Sequence, residues 1–318
     1  MRAVVVNRYG PPEVARVEDV KEPSPRPGEV LVEVRAAAMT AGDARIRGAR
    51  FPRGFAPMAR LAFGITGPRR RILGSTFAGV VAEVGAGITG LAPGDAVCGS
   101  SGGRMGAHAE RVVAPAGTVV RTPAAVSDAD AAAVVFGGTT ALYFLRDRGA
   151  IAAGQTVLVN GASGAVGTNA VQLAAHFGAR VTGVTSSRNA RLVGDLGAER
   201  VLDHAVTDVT QLAERYDIVL DTVGNLTAGI GRRLLTADGV LLLAAADLWQ
   251  LVSARGNVRA GTAPERATDI EFLLGLVATG ALKVVIDEDL PLEDVADGYR
   301  RIDSGRKVGN IVIRPQRP

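Results

Sequence analysis

Three glycines spaced three residues apart carry the clearest chemical signal in the sequence. Gly161, Gly164 and Gly167 separate a strand-like run at residues 156–160 from a helical run at residues 166–177. In such a unit, backbone N–H groups approach a pyrophosphate closely, and the positive end of the helix faces the same anion. The spacing is GxxGxxG, where the commoner fingerprint is GxGxxG. The turn therefore predicts a dinucleotide site, with a tight turn needed only for packing as the alternative. The predicted cofactor contacts here are Asn160, Gly161, Ser163, Gly164, Ala165, Val166 and Gly167.

The residues that follow the next predicted strand, at 180–185, indicate which dinucleotide binds. An NAD enzyme places Asp or Glu there to bond the ribose 2′-hydroxyl. In this chain no acid occurs between Gly178 and Gly194. Ser186 and Arg188 occupy this stretch instead, and a hydroxyl with a guanidinium suits a 2′-phosphate. We therefore predict NADPH, with Arg191 as a second candidate and solvated loop residues as the alternative.

Residues that bind metal or act as nucleophiles are few. The 318 residues include one Cys and three His. Cys98 alone cannot form an internal disulfide or a four-cysteine zinc site. His108, His176 and His204 lie far apart and fall on a predicted strand, helix and turn. We predict no metal site, with convergence of the three histidines in space as the alternative.

Composition limits the class of protein. A hydrophobic fraction of 47 % and a charged fraction of 21 % fit a globular chain. Arginines are scattered and aromatics make up only 4 %, so a basic stripe with interleaved aromatics, typical of nucleic-acid binding, is not found. No apolar run approaches the roughly 20 residues that span a bilayer, and the N-terminus does not resemble a signal peptide. We expect a cytoplasmic protein with no nucleic-acid or membrane partner.

Two kinds of predicted secondary structure would position these residues. The first part of the chain is β-rich, which predicts a small barrel or sandwich; its strand patterns lie at residues 2–6, 30–36, 77–84, 96–99 and 107–113. From about residue 123 two helices, at 129–136 and 139–149, precede alternating strands and helices, the rhythm of a parallel doubly wound sheet. The alternating elements are predicted at residues 156–160, 166–177, 180–185, 189–196, 200–202, 217–220 and 240–245. Later elements are predicted at residues 264–279, 284–286, 292–302 and 310–313.

Motifs along almost the whole chain resemble those of the medium-chain dehydrogenase/reductase superfamily, in its zinc-independent quinone oxidoreductase or zeta-crystallin-like branch. Besides the glycine-rich turn, the matching motifs are AAAMTAGD (36–43), LGSTFAGVV (73–81), VGAG (84–87), PGDAV (93–97), GAHAE (106–110), LGA (196–198), VLDH (201–204) and GRKVGNIV (305–312). The resemblance implies a GroES-like, β-rich partial barrel from residues 1–122 and 265–318, and a Rossmann domain from residues 123–264. It also implies NADPH in the cleft where the domains meet, and a homodimer.

The resemblance also implies roles for single residues. Thr40 and Asp43 are the candidate catalytic residues, because they correspond to residues near the reacting end of the cofactor, although Asp43 could instead cap the following turn. Thr140 resembles a threonine that approaches the coenzyme. Gly309 and Asn310 resemble a Gly-Lys pair at the nicotinamide end, with Asn in place of Lys. The positions of zinc ligands in zinc-dependent relatives hold Met39, Ser75 and Thr76, and a tyrosine that serves as proton donor in some relatives is absent.

A substrate pocket is expected beside the cofactor, between the loop at residues 50–71 and the segment after Ala244. Phe51, Phe55 and Phe63 on that loop are candidates to contact a planar ring, with local core packing as the alternative. Trp249 is a further candidate, and it could equally lie on a subunit surface.

The predicted reaction is hydride transfer from NADPH to an electron-poor carbon of a quinone or an α,β-unsaturated carbonyl compound, without metal. Two alternatives stay open. One is a pathway-specific enone or enoyl reductase of natural-product biosynthesis. The other is a non-catalytic NADPH-binding protein of the zeta-crystallin type that binds RNA.

Overall fold

The strands form two large sheets and one two-stranded sheet. The structure, a computed structural model, describes residues 1–316. Within them the strands are β1 (Arg2–Val6), β2 (Ala15–Asp19), β3 (Glu29–Met39), β4 (Thr76–Val84), β5 (Ala96–Ser100), β6 (Arg111–Pro115), β7 (Val119–Arg121), β8 (Thr156–Asn160), β9 (Arg180–Thr185), β10 (Arg200–Asp203), β11 (Tyr216–Asp221), β12 (Leu235–Leu243), β13 (Val258–Ala260), β14 (Ile286–Pro291) and β15 (Asn310–Arg314). The α-helices are α1 (Ala41–Arg47), α2 (Ala56–Phe63), α3 (Asp128–Leu142), α4 (Ala165–His176), α5 (Ala190–Asp195), α6 (Ala228–Arg233), α7 (Leu248–Ser253), α8 (Ala267–Ala278) and α9 (Val295–Asp303).

The six strands of one sheet all run parallel, in the order β10-β9-β8-β11-β12-β13. Counted along the chain, this is the order 3-2-1-4-5-6 of a doubly wound sheet, as predicted. Val157, Leu158 and Ile218 in its central strands are fully buried, as expected for a sheet covered on both faces. The order reverses between β8 and β11, so the carboxyl ends of these two strands open a crevice for a ligand.

The second large sheet is mixed and has the order β14-β15-β3-β4-β5-β7, with β6 paired to β3. The long strand β3 pairs antiparallel with β4, β6 and β15. Its inward residues, such as Val32 and Val34, share a core with Phe77 of β4 and Ile311 of β15. Because β15 joins this sheet, the C-terminal segment returns to the β-rich part of the chain, as expected.

Helix α3 corrects the prediction of two helices at residues 129–136 and 139–149. It is one continuous helix through Leu142 and runs on into a π-helical turn over Tyr143–Arg148. The apparent break came from Gly137 and Gly138, because glycine disfavours helix interiors. A Cβ on Gly137 would overlap the carbonyl oxygen of Ala165 at the start of α4. Gly137 therefore lets α3 and α4 cross closely, and the glycine pair does not end α3.

Two predicted strands lie elsewhere in the structure. The strand predicted at 107–113 begins later in the structure, as β6 (Arg111–Pro115). Residues 107–109 do not belong to it, because their backbone groups bond to two different segments: the His108 carbonyl accepts from the Val4 N–H (2.8 Å), and the His108 N–H donates to the Leu73 carbonyl (3.0 Å). The strand predicted at 284–286 is β14 (Ile286–Pro291), an edge strand rich in acids. Edge strands carry charge to avoid further pairing, so an apolar pattern does not reveal them.

The predicted domain bounds remain a proposal. Helix α8, which belongs to the predicted barrel domain, packs its Leu273 against Gly138 of α3, which belongs to the predicted Rossmann domain. Ala36 and Cys98 of the mixed sheet belong to the same hydrophobic cluster as these helices. One continuous core thus joins the two sheets. Among the helices of residues 1–316, none is long and apolar enough to cross a membrane.

The single cysteine lies in the middle of β5. Cys98 is fully buried and pairs with Ala78 of β4 and Val120 of β7 on either side. Burial raises the pKa of its thiol to about 12, because a thiolate is poorly solvated there. The thiol is therefore neutral at physiological pH.

Candidate functional site

The glycine-rich turn lies where the order of the parallel sheet reverses. Asn160 ends β8 and is paired in register with Asp221, which ends β11. The turn connects β8 to α4, whose N-cap is Gly164. No side chain caps the helix there, so its first backbone N–H groups are available to a ligand. The structure thus places the predicted turn at the crevice that doubly wound sheets use for binding.

Two glycines of the turn differ in what surrounds them. A Cβ on Gly167 would overlap the carbonyl oxygen of Gly161, so this glycine is required for helix and turn to pack. A Cβ on Gly164 would have only that same oxygen nearby, at 3.5 Å. Gly164 lines a cavity on its open side. The absent side chain at Gly164 therefore leaves room for a ligand to reach the backbone.

The cavity beside the turn has a volume of about 690 Å³. It runs from the turn past the end of β9 to the loop after β10. Ser163 is held by hydrogen bonds donated to its Oγ by Thr185 Oγ1 and Asn189 Nδ2 (2.8 and 3.1 Å). The predicted residues that line the cavity are Asn160, Gly161, Ser163, Gly164, Ser186 and Arg188. The turn and the predicted phosphate-recognising residues therefore lie in one cavity.

The cavity carries more positive than negative charge. Its cationic lining residues are Arg188, Arg306 and Lys307, and its acid is Asp208. Hydrogen bonds from the Thr210 hydroxyl and backbone N–H lower the pKa of Asp208, so this carboxylate is charged at neutral pH. Within residues 1–316 Arg188 forms no ion pair. A guanidinium free at the end of the cavity suits a phosphate.

A smaller cavity of about 300 Å³ continues from the larger one. The two share four lining residues, Gly164, Thr222, Gly305 and Lys307. The remaining wall is mostly apolar, and it consists of Met39, Thr40, Ala41, Phe136, Ala165, Val166, Ile302 and Asn310. The combined space is elongated, polar at one end and apolar at the other, with the glycine-rich turn in the middle. This shape fits a dinucleotide with a planar ring at the apolar end.

The C-terminal segment forms one wall of both cavities. Gly309 forms an isolated parallel bridge with Gly164, and its N–H donates to Ser163 O (2.8 Å). Gly309 has φ +62°, and a Cβ there would overlap Val285 O, so only glycine fits. The Nδ2 of Asn310 donates to Val285 O (3.1 Å). Both predicted residues thus adjoin the turn, Gly309 through its backbone and Asn310 as part of the smaller cavity.

Thr40 and Asp43 form a capping box at the start of α1. Asp43 accepts hydrogen bonds from the Thr40 N–H (2.8 Å), the Thr40 hydroxyl (2.6 Å) and the Gly74 N–H (3.0 Å). Asp43 is buried behind Thr40, and only Thr40 lines the smaller cavity. Because the Thr40 proton is directed to Asp43, its Oγ1 faces a ligand only as an acceptor. These contacts support the capping alternative for Asp43; its catalytic role stays a prediction.

Asp221 is a central residue of the site that sequence reasoning missed. Its Oδ1 accepts from Asn160 Nδ2 (2.9 Å) and from the N–H groups of Val223 and Gly224 (3.0 Å each). Its Oδ2 accepts from the Leu226 N–H (3.0 Å). The residue is fully buried, yet it holds the loop that lines the cavity. An acid directly after the apolar run of β11, at the same sheet edge as the turn, was the available signal.

Several predicted residues lie outside both cavities. Thr140 is half-buried on α3. Phe136, one turn earlier on the same helix, lines the smaller cavity, although it was not among the predicted site residues. Phe51 stacks on Phe63 with ring centroids 5.9 Å apart, and both pack on the core of the mixed sheet. These contacts match the core-packing alternative. Phe55 is the N-cap of α2, and Trp249 on α7 is 70 % exposed. Their assignment to a substrate pocket stays a prediction.

The positions that hold zinc in zinc-dependent relatives do not fit the metal. Met39 is a buried thioether, and Thr76 is buried with its hydroxyl unpartnered; neither is a usual zinc ligand. His108 is buried with its Nε2 at 3.2 Å from Ala38 O. No group of three or more His, Cys, Asp or Glu within residues 1–316 is arranged to hold a metal ion.

Comparisons with known proteins agree with this architecture. Residues 26–124 match the alcohol dehydrogenase GroES-like domain, and residues 196–313 match the zinc-binding dehydrogenase family. An acryloyl-coenzyme A reductase of Metallosphaera sedula is 29 % identical, over 98 % of this chain and 99 % of that protein. The quinone oxidoreductase of Coxiella burnetii is 25 % identical over 99 % of each chain, with a TM-score of 0.88. A mycobacterial protein solved with NADPH is 28 % identical, over 99 % of this chain and 100 % of that one, with a TM-score of 0.82.

These matches confirm a GroES-like domain combined with a Rossmann-like domain. They also agree with the resemblance to quinone oxidoreductases, because relatives with that name cover nearly the whole chain. The protein is therefore an oxidoreductase of the medium-chain dehydrogenase/reductase family.

Proposed function

We propose that the protein is an NADPH-dependent, metal-free oxidoreductase that reduces a quinone or an α,β-unsaturated carbonyl compound. The observation that carries the proposal is the pair of connected cavities on either side of the glycine-rich turn. Arg188 lies at the polar end, and residues 180–194 hold no acid of the kind that NAD enzymes use to bond a ribose hydroxyl. The apolar end suits a nicotinamide and a flat acceptor. The mycobacterial relative solved with NADPH supports the choice of cofactor.

The chain's own residues would bind and orient the reactants. NADPH, when bound, supplies the hydride. Gly164 would admit the phosphates to the free N–H groups of α4, and Arg188 with Ser186 would hold the 2′-phosphate. Thr40 lines the smaller cavity and would offer its Oγ1 to the nicotinamide end only as an acceptor, since its own proton goes to Asp43. Phe136 and Ile302 would form an apolar wall against the ring.

The acceptor class follows from what the site lacks and from the relatives. The residues at the zinc positions, Met39, Ser75 and Thr76, do not suit a metal that would polarise an alcohol. An acceptor whose electron-poor carbon takes hydride without such help is therefore the better fit. With the Thr40 proton committed to Asp43, water entering the open cavity is the proposed proton source. Relatives named acryloyl-CoA reductase make an enoyl thioester a second candidate acceptor.

The test is the oxidation of NADPH and NADH with a panel of quinones, enones and enoyl thioesters, with and without a chelator. We expect NADPH oxidation that the chelator does not change. Strong preference for one enone or enoyl thioester would favour a pathway-specific reductase. A chelator-sensitive alcohol dehydrogenase would contradict the metal-free mechanism. Tight NADPH binding with no turnover and a salt-sensitive RNA complex would favour the non-catalytic alternative.

Replacing Arg188 with alanine should remove the preference for NADPH. We expect the Kd for NADPH to rise about tenfold or more, because a charge-assisted contact to the 2′-phosphate is lost. The Kd for NADH should stay within about twofold. Fluorescence titration of both cofactors measures this difference. Arg191→Ala is the matched control, since Arg191 is 95 % exposed and faces Asp195 on its own helix (3.7 Å). Equal losses for both cofactors would exclude Arg188 from phosphate recognition.

The remaining expectations rest on the resemblance alone. We propose the domain bounds 1–122 with 265–318 and 123–264, a homodimer and a cytoplasmic location. Sedimentation at several concentrations would test the dimer.

A further inference from the structure

Lys307 lies where the two cavities of the site join. Of the four residues that line both cavities, it alone carries a charge. The other three are Gly164, Thr222 and Gly305. The same junction contains the uncapped start of α4, whose N-cap is Gly164. The middle of a dinucleotide that fills both cavities would therefore lie against Lys307.

The backbone around Lys307 is tied to the glycine-rich turn. Two residues further on, Gly309 donates to Ser163 O and pairs with Gly164. On the other side, the Val308 N–H donates to Asp287 Oδ2 (3.3 Å). The Lys307 ammonium itself donates to the carbonyl of Gly309. The side chain thus folds back over the segment that contacts the turn and does not extend into solvent.

The ammonium of Lys307 has no carboxylate partner. Within residues 1–316 no acid lies within ion-pair distance of it. The charged groups that act on it are Asp287, which is paired with Arg301 at 2.7 Å, and Arg301 itself. The other charged or titratable residues that line the larger cavity are Arg188, His204, Asp208 and Arg306. An unpaired ammonium that is shielded from water is costly, and a bound anion at the junction would remove that cost.

The desolvation of the Lys307 ammonium also favours an anion at the junction. It lowers the pKa of Lys307 to about 8, and the opposing attraction of Asp287 is offset by Arg301. A phosphate group beside the ammonium would favour the charged form and raise this pKa. Affinity for such a ligand is then constant below pH 8, and it falls as the pH rises above 8 and the free protein loses the proton.

We propose that Lys307 is the counter-ion of the bridging pyrophosphate of the dinucleotide, opposite the start of α4. This inference rests on the proposed function, because it needs a dinucleotide in the joined cavities. It assigns different phosphates to different cations. Arg188 recognises the 2′-phosphate that only NADPH has, whereas Lys307 contacts the diphosphate common to NADPH and NADH.

The test compares Lys307→Met with wild-type protein by titration with NADPH, NADH and adenosine 2′-monophosphate, which lacks the pyrophosphate. We expect the variant to raise the Kd for both dinucleotides by a similar factor, about tenfold to thirtyfold. The Kd for the monophosphate should stay within about twofold. Lys307→Arg should restore most of the affinity. Lys283→Met, at an exposed lysine outside both cavities, is the matched control and should bind all three ligands normally.

The pH dependence separates a charge contact from a merely structural role. Wild-type affinity for NADPH should fall between about pH 7 and about pH 9.5. This range lies above the pKa of a phosphate monoester, so the 2′-phosphate of NADPH does not itself titrate there. Lys307→Met and Lys307→Arg should lack this fall. Unchanged dinucleotide affinity in Lys307→Met, or an equal loss for the monophosphate, would overturn the role of Lys307 alone. Wild-type protein that binds neither dinucleotide would overturn the proposed function as well.

Discussion

Replacing Gly164 with valine should abolish dinucleotide binding and leave the fold intact. Gly164 has φ −78° and ψ 175°, an extended conformation that valine adopts readily. Its added Cβ would meet only Gly161 O, at 3.5 Å, and the two methyl groups would project into the junction of the cavities. We expect the Kd for NADPH to rise roughly a hundredfold or more, because the phosphates could no longer reach the backbone N–H groups.

Isothermal titration measures the loss of binding, and circular dichroism with thermal unfolding verifies the fold. The matched control is Gly194→Val, at an exposed glycine of α5 with open space around it and no place in either cavity. Gly167→Ala offers a contrast, because its Cβ would overlap Gly161 O and should destabilise the protein. A Gly164→Val protein that binds NADPH as wild type does would refute the placement of the pyrophosphate.

Replacing Asp221 with alanine should cost about 3 kcal/mol of unfolding free energy, because four hydrogen-bond donors lose a buried charged acceptor. The four donors are the side chain of Asn160 and the backbone N–H groups of Val223, Gly224 and Leu226. Urea unfolding followed by circular dichroism measures the change. Asp238→Ala, at an exposed aspartate of β12 without such bonds, is the control and should change stability little.

Asp221→Asn tests whether the same network also shapes the site. The amide keeps one acceptor oxygen but presents N–H groups where the second oxygen accepted a bond, so we expect a smaller loss, about 1–2 kcal/mol. The folded variant should still bind NADPH more weakly, since Thr222 and Val223 line the larger cavity. Stability and affinity equal to wild type would mean that the loop holds its shape without this carboxylate.

The lining of the larger cavity at the glycine-rich turn was predictable because its signals are local. The glycine spacing at 161, 164 and 167 follows from how closely a backbone must approach phosphate and helix, and the strands around it are apolar on both faces. Arg188 was predicted from the lack of an acid at a position where NAD enzymes carry one, and it lines the larger cavity. Such signals need only a few consecutive residues.

Residues that act through distant contacts were not predictable in this way. Lys307 is one basic residue among 36, and only the pairing of Gly309 with Gly164 brings it to the turn. Gly137 suggested a helix break, although its missing side chain serves a crossing with α4 about 30 residues later in the chain. Phe51 and Phe63 stack on each other, and their contact with a planar ring stays a prediction. Lys307 and Gly137 both depend on partners far away in sequence, and periodicity carries no information about those partners.

The burial of Cys98 has a consequence for the proposed reduction of quinones and enones. These compounds are electrophiles, and thiolates add to them covalently. The only thiol of the chain is fully buried in β5, and its pKa of about 12 keeps it protonated. A quinone or enone of the proposed class would therefore meet no exposed thiolate, and the position of this sulfur would protect the enzyme from covalent inactivation at cysteine.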